Sequence, residues 1–122
     1  MDILLLILLF VIKHFMIDFV LQTQEEVDHK GTYSDWRGVK HSVKHGIGTL
    51  LVLWFAGAGL ELSYLYAAAD LLIHYHVDWA KMNINKKMGW GPTTHEEFWW
   101  LLGADQLAHA LTYVWLVSLV TV

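Results

Sequence analysis

Four long apolar stretches cover most of this 122-residue chain, at approximately residues 3–22, 39–58, 62–80 and 98–120. Each is close to the ~20 residues of helix that cross the ~30 Å hydrocarbon layer of a bilayer. Apolar residues form 56% of the chain and charged residues only 16%, fewer than an ordinary soluble surface carries. The sequence therefore predicts an all-α protein, a four-transmembrane-helix bundle that forms a single integral membrane domain over residues 1–122.

The segments between these stretches carry helix-start and turn signals. Thr-Gln-Glu-Glu at residues 23–26 predicts a short cytoplasmic surface helix after the first stretch. Gly-Ala-Gly at residues 57–59 predicts a tight turn, and Gly-Trp-Gly-Pro at residues 89–92 breaks the chain. The threonines and glutamates of residues 93–97 predict capping boxes at the start of the fourth helix.

Seven of the eight basic residues lie in the loops after the first and third stretches or on the flanks of those loops: Lys30, Arg37, Lys40, Lys44, Lys81, Lys86 and Lys87. The eighth, Lys13, lies within the first stretch. The positive-inside rule then places both long loops in the cytoplasm and both termini outside. No block of basic residues suggests a nucleic acid partner. The expected partners are the lipid bilayer and either further copies of the chain or another membrane protein.

Ionisable residues recur four positions apart within each apolar stretch. Because four residues turn a helix by ~400°, each pair projects from one face, and in lipid that face turns inward. These polar stripes are His14 and Asp18, His41 and His45, His74 and Asp78, and Asp105 and His109. At ~1.5 Å per residue, most of these side chains lie at overlapping depths in the cytoplasmic half of the bilayer. The sequence therefore predicts one shared polar site.

An unpaired carboxylate near the middle of a membrane span costs ~2.5–3.5 kcal/mol, so the acids of this site need a partner. Neutral histidine and ionised aspartate are suitable ligands for Zn²⁺, Fe²⁺ or Mn²⁺, and the absence of cysteine excludes thiolate ligation. The predicted metal ligands are His14, Asp18, His45, His74, Asp78, Asp105 and His109, with His41 as either a further ligand or an interfacial residue. A structural hydrogen-bond network and a proton or ion path remain alternatives.

Four more residues have predicted roles around this site. Gln22 continues the polar stripe of the first stretch, and both Gln22 and Gln106 are expected to orient a ligand from the second coordination sphere. Lys13 and Asp70 lie roughly 14 and 15 Å from the cytoplasmic end of their spans, so we predict a buried ion pair between the first and third spans.

The motifs His14-Phe-Met-Ile-Asp18-Phe-Val-Leu-Gln22 and Asp105-Gln106-Leu-Ala-His109 resemble those of a family of small membrane proteins of bacteria and their phages, catalogued as a domain of unknown function. His41 and the pair of His74 and Asp78 match further positions of that pattern. The resemblance covers essentially the whole chain and implies a polytopic membrane protein without an established activity. It places the chain in a bacterial inner membrane, or in the host membrane if a phage encodes it.

Two classes of function follow. The first is a metal-dependent membrane hydrolase acting near the cytoplasmic headgroups, in which a metal activates water and an aspartate outside the ligand set acts as base. The second is a non-enzymatic membrane protein, either a channel or transporter subunit or a regulatory factor, whose polar network is structural or conducts protons. Neither a substrate nor a particular metal follows from the sequence.

Overall fold

The computed structural model describes residues 2–121, and every regular element in that range is helical, which confirms the predicted all-α class. The helices are α1 (Ile3–Phe15), which continues directly into a π-helical turn (Met16–Val20), α2 (Gln24–His29), α3 (Trp36–Phe55), α4 (Leu60–Met88) and α5 (Glu96–Val120). α4 packs against both α3 and α5, α1 packs against α3 and α5, and α2 lies on α3.

The helix bounds differ from the predicted stretches mainly in α4, which continues to Met88 instead of ending near Ala80. Hydropathy falls after residue 80, but the next residues contain no Gly or Pro that would end a helix. The positive charges of Lys86 and Lys87 in the last turn interact favourably with the partial negative charge at the helix C-terminus. The helix ends where Gly89 adopts the left-handed conformation, with φ 68°.

The capping boxes predicted for α2 and α5 differ in outcome. The capping box of α2 is confirmed, since the Thr23 hydroxyl accepts from the Glu26 amide and the Glu26 carboxylate accepts from the Thr23 amide at 2.7 Å. The capping boxes predicted for α5 are wrong. His95 occupies the N-cap without a side-chain bond, and the Thr94 hydroxyl lies 2.8 Å from the His95 imidazole, away from the helix amides.

Hydropathy supports fewer membrane spans than predicted. Within residues 2–121, one helical stretch, Ile3–Val20, is long and apolar enough to cross a membrane. Core helices of soluble proteins and signal sequences can have the same length and composition, so this stretch alone is weak evidence for a membrane protein. The other long helices contain ionisable side chains, which lower their mean hydropathy.

The interior and the surface have an unusual distribution of polarity. Among the described residues, more polar and charged side chains than apolar ones are buried. A compact apolar cluster lies at one end of the bundle and consists of Leu6, Phe10, Leu53, Tyr113, Leu116 and Val117. Large apolar side chains are exposed along α1, α3, α4 and α5, including Leu4 and Phe55 at 78% each. The bundle is therefore polar in the middle and apolar outside.

An ion pair fixes α2 against α3. The Glu26 carboxylate is fully buried and lies 2.7 Å from Lys44 Nζ, which also donates to the Leu21 carbonyl at 2.9 Å. Burial acts to raise the pKa of Glu26, but the hydrogen bonds from Lys44 and from the Thr23 amide outweigh it and hold the pKa below the ordinary 4.5. The charged form of Glu26 therefore stabilises the packing of α2.

We expect Glu26→Gln to lower the free energy of unfolding at neutral pH by about 2 kcal/mol, because the charge-assisted hydrogen bond with Lys44 is lost. The pKa of Glu26 is lowered on folding, so this contribution is complete above pH 4.5 and disappears as the pH falls through the folded-state pKa. The difference between wild type and variant should therefore shrink with acidification. Denaturant titrations followed by circular dichroism measure it.

Glu25→Gln is the matched control, because the Glu25 side chain is 54% exposed and lies 3.7 Å from Lys40. Such exposed pairs contribute little to stability. A Glu26→Gln deficit that stays constant from neutral to acidic pH would contradict the role assigned to the Glu26 charge.

Candidate metal centre

The inward faces of four segments bring five imidazoles and three carboxylates together near the middle of the bundle. The side chains are His14 from α1, Asp18 from the π-helical turn, His41 and His45 from α3, His74 and Asp78 from α4, and Asp105 and His109 from α5. All except His14, which is half-buried, are buried. The predicted spacing of four residues places each pair on one helix face.

Asp18 is the centre of the first ligand group. Its Oδ1 atom lies 2.8 Å from His45 Nε2, 3.0 Å from His41 Nε2 and 3.5 Å from His74 Nε2. These four ligand atoms all lie within 4.8 Å of one another. Four ligands bound tetrahedrally at about 2.0–2.1 Å from a zinc ion are roughly 3.3–3.4 Å apart, close to the observed separations. The group is therefore able to hold a metal ion.

A second ligand group consists of His74, Asp78 and His109. Asp78 Oδ1 lies 3.1 Å from His109 Nε2, and Asp78 Oδ2 lies 3.3 Å from His74 Nε2. The His74 ring stacks between its neighbours, with centroid distances of 3.6 Å to His45 and 3.9 Å to His109. His74 Nε2 faces the carboxylates of both groups, and one nitrogen lone pair binds one metal ion, so the two groups are alternative positions for an ion bound by His74.

The ring nitrogens of two histidines face each other inside this cluster. His41 Nε2 and His74 Nε2 lie 3.3 Å apart, and both also lie within 3.4 Å of Asp78 Oδ2. A neutral imidazole has one N–H and one lone pair, so these nitrogens require either a shared proton or a cation between them. A metal ion satisfies several of these lone pairs at once.

His14 and Asp105 border the two ligand groups. His14 Nε2 lies 3.1 Å from Asp18 Oδ2 and 2.8 Å from Gln106 Oε1, and Asp105 Oδ1 lies 3.4 Å from His109 Nε2. Gln106 also donates to Asp105 Oδ2 at 3.1 Å, a contact that suits its predicted second-sphere role.

Gln22, which has a predicted second-sphere role, and Tyr113, which has no role predicted from the sequence, both lie beside the cluster. Gln22 donates to the Asp18 backbone carbonyl at 2.8 Å and touches none of the imidazoles through a hydrogen bond within the described residues. The Tyr113 hydroxyl lies 2.9 Å from His14 Nδ1. Tyr113 follows His109 by four residues on α5, so a search for further polar groups along that stripe would have found it.

Two lysines contact carboxylates of the cluster. The sequence indicates only that these lysines belong to the basic residues that mark the cytoplasmic loops. Lys30 Nζ lies 3.3 Å from Asp78 Oδ2, and Lys81 Nζ lies 3.5 Å from Asp105 Oδ2. Lys81 follows Asp78 by three residues, which places both on one face of α4. With neutral imidazoles, three carboxylates and two ammonium groups leave one negative charge in the cluster.

Lys13 and Asp70 lie deeper in the bundle. Their charged atoms are 2.7 Å apart, and the side chains are 5% and 1% exposed. Asp70 also accepts from the Thr49 hydroxyl at 2.5 Å, and Lys13 Nζ lies 3.4 Å from the Tyr113 hydroxyl. His76, in contrast, points away from the cluster and contacts the Tyr33 hydroxyl at 3.0 Å on the surface.

Two cavities adjoin the cluster from different sides. A cavity of about 270 Å³ lies between α2, α4 and α5, and its walls include Lys30 and Lys81. A groove of about 250 Å³ lies between α1 and α5, with His14 and Gln106 among otherwise mainly apolar walls. Small molecules can therefore approach the polar cluster from either side.

A comparison with protein families gives a match over residues 5–122, to the family described as "Protein of unknown function (DUF3307)". No curated protein and no solved structure matches the chain. The match covers nearly the whole sequence, including each stripe that supplies a histidine or aspartate to the cluster. The chain therefore belongs to the DUF3307 family of proteins of unknown function.

Proposed function

We propose that this protein is a metal-dependent hydrolase embedded in a membrane, with its reaction centre in the cytoplasmic half of a four-span bundle. The observation that carries the proposal is the convergence of Asp18 with the imidazoles of His41, His45 and His74. Their ligand atoms all lie within 4.8 Å of one another, and the three distances from Asp18 Oδ1, at 2.8, 3.0 and 3.5 Å, are similar to the roughly 3.3–3.4 Å between ligands of a tetrahedral zinc site. Zn²⁺, Fe²⁺ and Mn²⁺ all accept this combination of nitrogen and oxygen ligands.

The polarity of the bundle supports a membrane location for all four long helices. In water, burying ionisable groups while exposing Leu, Phe and Trp side chains is unfavourable on both counts. In lipid, the same arrangement turns polar groups inward and apolar groups towards the acyl chains. α3, α4 and α5 have 20, 29 and 25 residues, enough for about 30 Å each at 1.5 Å per residue.

The basic residues at one end of the bundle support the proposed topology, with the long loops cytoplasmic and the termini outside. The single domain then spans the bilayer four times, and α2 lies at the cytoplasmic surface. The lipid bilayer is the partner in this arrangement.

A divalent ion bound here supplies a Lewis acid and lowers the pKa of a coordinated water. Hydrolysis also needs a base outside the first ligand group. Asp105 fits this role, because its Oδ1 atom is buried and accepts no hydrogen bond within the described part of the chain. The same carboxylate lies 3.4 Å from His109 Nε2, so a proton taken up by Asp105 has a neighbouring acceptor.

A proton path is the strongest competing function, because polar contacts link Asp70 through Lys13, Tyr113 and His14 to Asp18. Beyond Asp70, however, the bundle axis is closed by the apolar cluster that includes Leu6, Phe10 and Leu53. A conducting path needs polar groups or water across the full membrane. The polar contacts therefore favour a buried site that does not connect to the far side of the membrane.

Elemental analysis of the purified protein tests the proposal. We expect at least one equivalent of Zn, Fe or Mn per chain, and we expect His45→Ala to lower the occupancy of the first group at least ~10-fold, because one of four ligands is lost. His76→Ala is the matched control, since its imidazole is exposed and outside the cluster. Folded, metal-free wild-type protein would overturn the metal centre and favour a structural network. Equal metal content in the His45→Ala variant would overturn the assignment of the metal to the first ligand group.

A further inference from the structure

We propose that the cavity between α2, α4 and α5 binds the phosphate-ester headgroup of an amphiphile, with Lys30 and Lys81 as the phosphate contacts. This inference rests on the proposed function, since it names the substrate class of the same centre. The feature that carries it is the position of two lysines in the wall of a cavity, each also in contact with a carboxylate of the candidate metal centre.

The cavity is a direct extension of the metal centre. Lys81 lies one helical turn from Asp78 on α4, and Leu101 and Leu102 lie one turn before Asp105 on α5. Lys30 enters from α2 and contacts both Gln22 at 3.1 Å and Asp78 at 3.3 Å. A group bound between the two ammonium groups therefore lies next to Asp78 and Asp105.

Charge determines which headgroup suits this position. The cluster of Asp18, Asp78 and Asp105 with two lysines has one net negative charge when the imidazoles are neutral. One bound divalent ion changes that charge to +1. Buried positive charge attracts an anion, and lysine ammonium groups are common phosphate ligands in proteins. The metal-loaded site therefore favours a phosphate over a neutral or cationic headgroup.

The remaining walls determine what is attached to the phosphate. Besides the polar residues Gln22 and Asn85, they consist of Val27, Met82, Phe98, Leu101 and Leu102. A volume of about 270 Å³ is just below the ~300–1,000 Å³ of typical small-molecule sites. The cavity therefore suits a headgroup and the first part of an apolar chain, and a longer chain extends along the bundle surface.

The corresponding reaction is hydrolysis of the phosphate ester. The oxygen of water forms a bond to phosphorus while the bond from phosphorus to the ester oxygen breaks. Asp105 takes one proton from the attacking water and passes that proton to the leaving alkoxide, which becomes an alcohol, while the other water proton stays on the phosphate. The products are the alcohol and inorganic phosphate, with no oxidant or reductant required.

Hexylphosphonate is the binding probe, because its C–P bond is not broken by this hydrolysis. Inorganic phosphate is the probe without an alkyl chain. We expect hexylphosphonate to bind the metal-loaded protein at least ~10-fold more tightly than inorganic phosphate, from the burial of several methylenes. Lys81→Met should weaken both probes ~10-fold or more through loss of a charged hydrogen bond. ³¹P NMR titration in detergent measures each affinity.

Lys87→Met is the charge-matched control, because Lys87 is exposed and outside the cavity wall. Leu102→Ala distinguishes the apolar wall of the cavity from the lysine contacts. We expect this variant to weaken the binding of hexylphosphonate and to leave the binding of inorganic phosphate unchanged. Retained affinity in Lys81→Met would overturn the lysine site. Equal affinity for the two probes would assign the cavity to free phosphate and overturn the amphiphile.

Metal content, measured on the same samples, separates this inference from the proposed function. Lysine-dependent phosphonate binding by a protein that takes up no metal would preserve the anion site and overturn the hydrolase. Metal-loaded protein that binds neither probe would preserve the metal centre and overturn the phosphate site. If Lys81→Met does not fold, unchanged hexylphosphonate binding in Leu102→Ala is the result that overturns the proposal.

Discussion

Replacing Lys13 with methionine is expected to lower the free energy of unfolding by about 3–5 kcal/mol, because the Asp70 carboxylate then stays buried without a cation. Lys13 Nζ and Asp70 Oδ2 are 2.7 Å apart and both side chains are almost fully buried. The Thr49 hydroxyl, the other donor to Asp70, supplies a neutral hydrogen bond that cannot replace a full charge. Unfolding in mixed detergent, followed by circular dichroism, measures the loss.

The double variant Lys13→Met with Asp70→Asn distinguishes a charge effect from a packing effect. Removing both charges takes away the uncompensated carboxylate, so we expect the double variant to recover most of the lost stability. Lys87→Met, at an exposed position, is the control and should change stability by less than about 0.5 kcal/mol. Equal destabilisation in the single and double variants would show that the stem of Lys13, which lies against Gly48, matters more than its charge.

Helical periodicity accounts for much of what the sequence could predict about this bundle. The spacing of four puts His41 with His45 and His74 with Asp78 on common faces, and these faces meet in the structure. Counting 1.5 Å per residue also placed Lys13 and Asp70 at nearly equal depth, and their charged atoms are in contact.

The π-helical turn is the clearest feature that helical periodicity in the sequence does not predict. The Leu21 amide donates to the Met16 carbonyl at 2.8 Å, a bond across five residues instead of four. No Gly or Pro marks this turn in residues 16–20. The turn carries Asp18, whose Oδ1 atom is shared by three imidazoles, so the orientation of the central carboxylate depends on tertiary packing.

Long polar side chains were the other source of error, because sequence position indicates where a backbone lies but not where a side-chain end reaches. Lys30 and Lys81 were assigned to cytoplasmic loops and flanks, yet their ammonium groups extend to Asp78 and Asp105. Tyr113 likewise lies within an apolar stretch of the sequence, although its hydroxyl contacts His14. The contacts of Lys30 and Lys81 follow only from the coordinates, whereas the spacing of four residues between His109 and Tyr113 marks Tyr113 in the sequence.

Replacing His74 with alanine is expected to have the largest effect on metal binding, because His74 is the one imidazole common to both ligand groups. His45→Ala removes a ligand from the first group and leaves His74, Asp78 and His109 intact. His74→Ala removes a ligand from each, leaving Asp18, His41 and His45 in one group and Asp78 and His109 in the other. We therefore expect residual metal in His45→Ala and at least ~100-fold weaker binding in His74→Ala.

Metal binding should also raise the free energy of unfolding. Saturating metal at about 1,000 times its dissociation constant stabilises a folded protein by about 4 kcal/mol, which chelation removes. We expect EDTA to destabilise the wild type and the exposed-histidine control His76→Ala to this extent. At the same metal concentration, ~100-fold weaker binding leaves the metal at no more than about 10 times the dissociation constant of His74→Ala, so EDTA should destabilise that variant by no more than about 1.4 kcal/mol. Unfolding measured with and without EDTA, together with metal content, tests both statements. If EDTA destabilises His74→Ala as much as the wild type, the metal lies outside the group of imidazoles around Asp18.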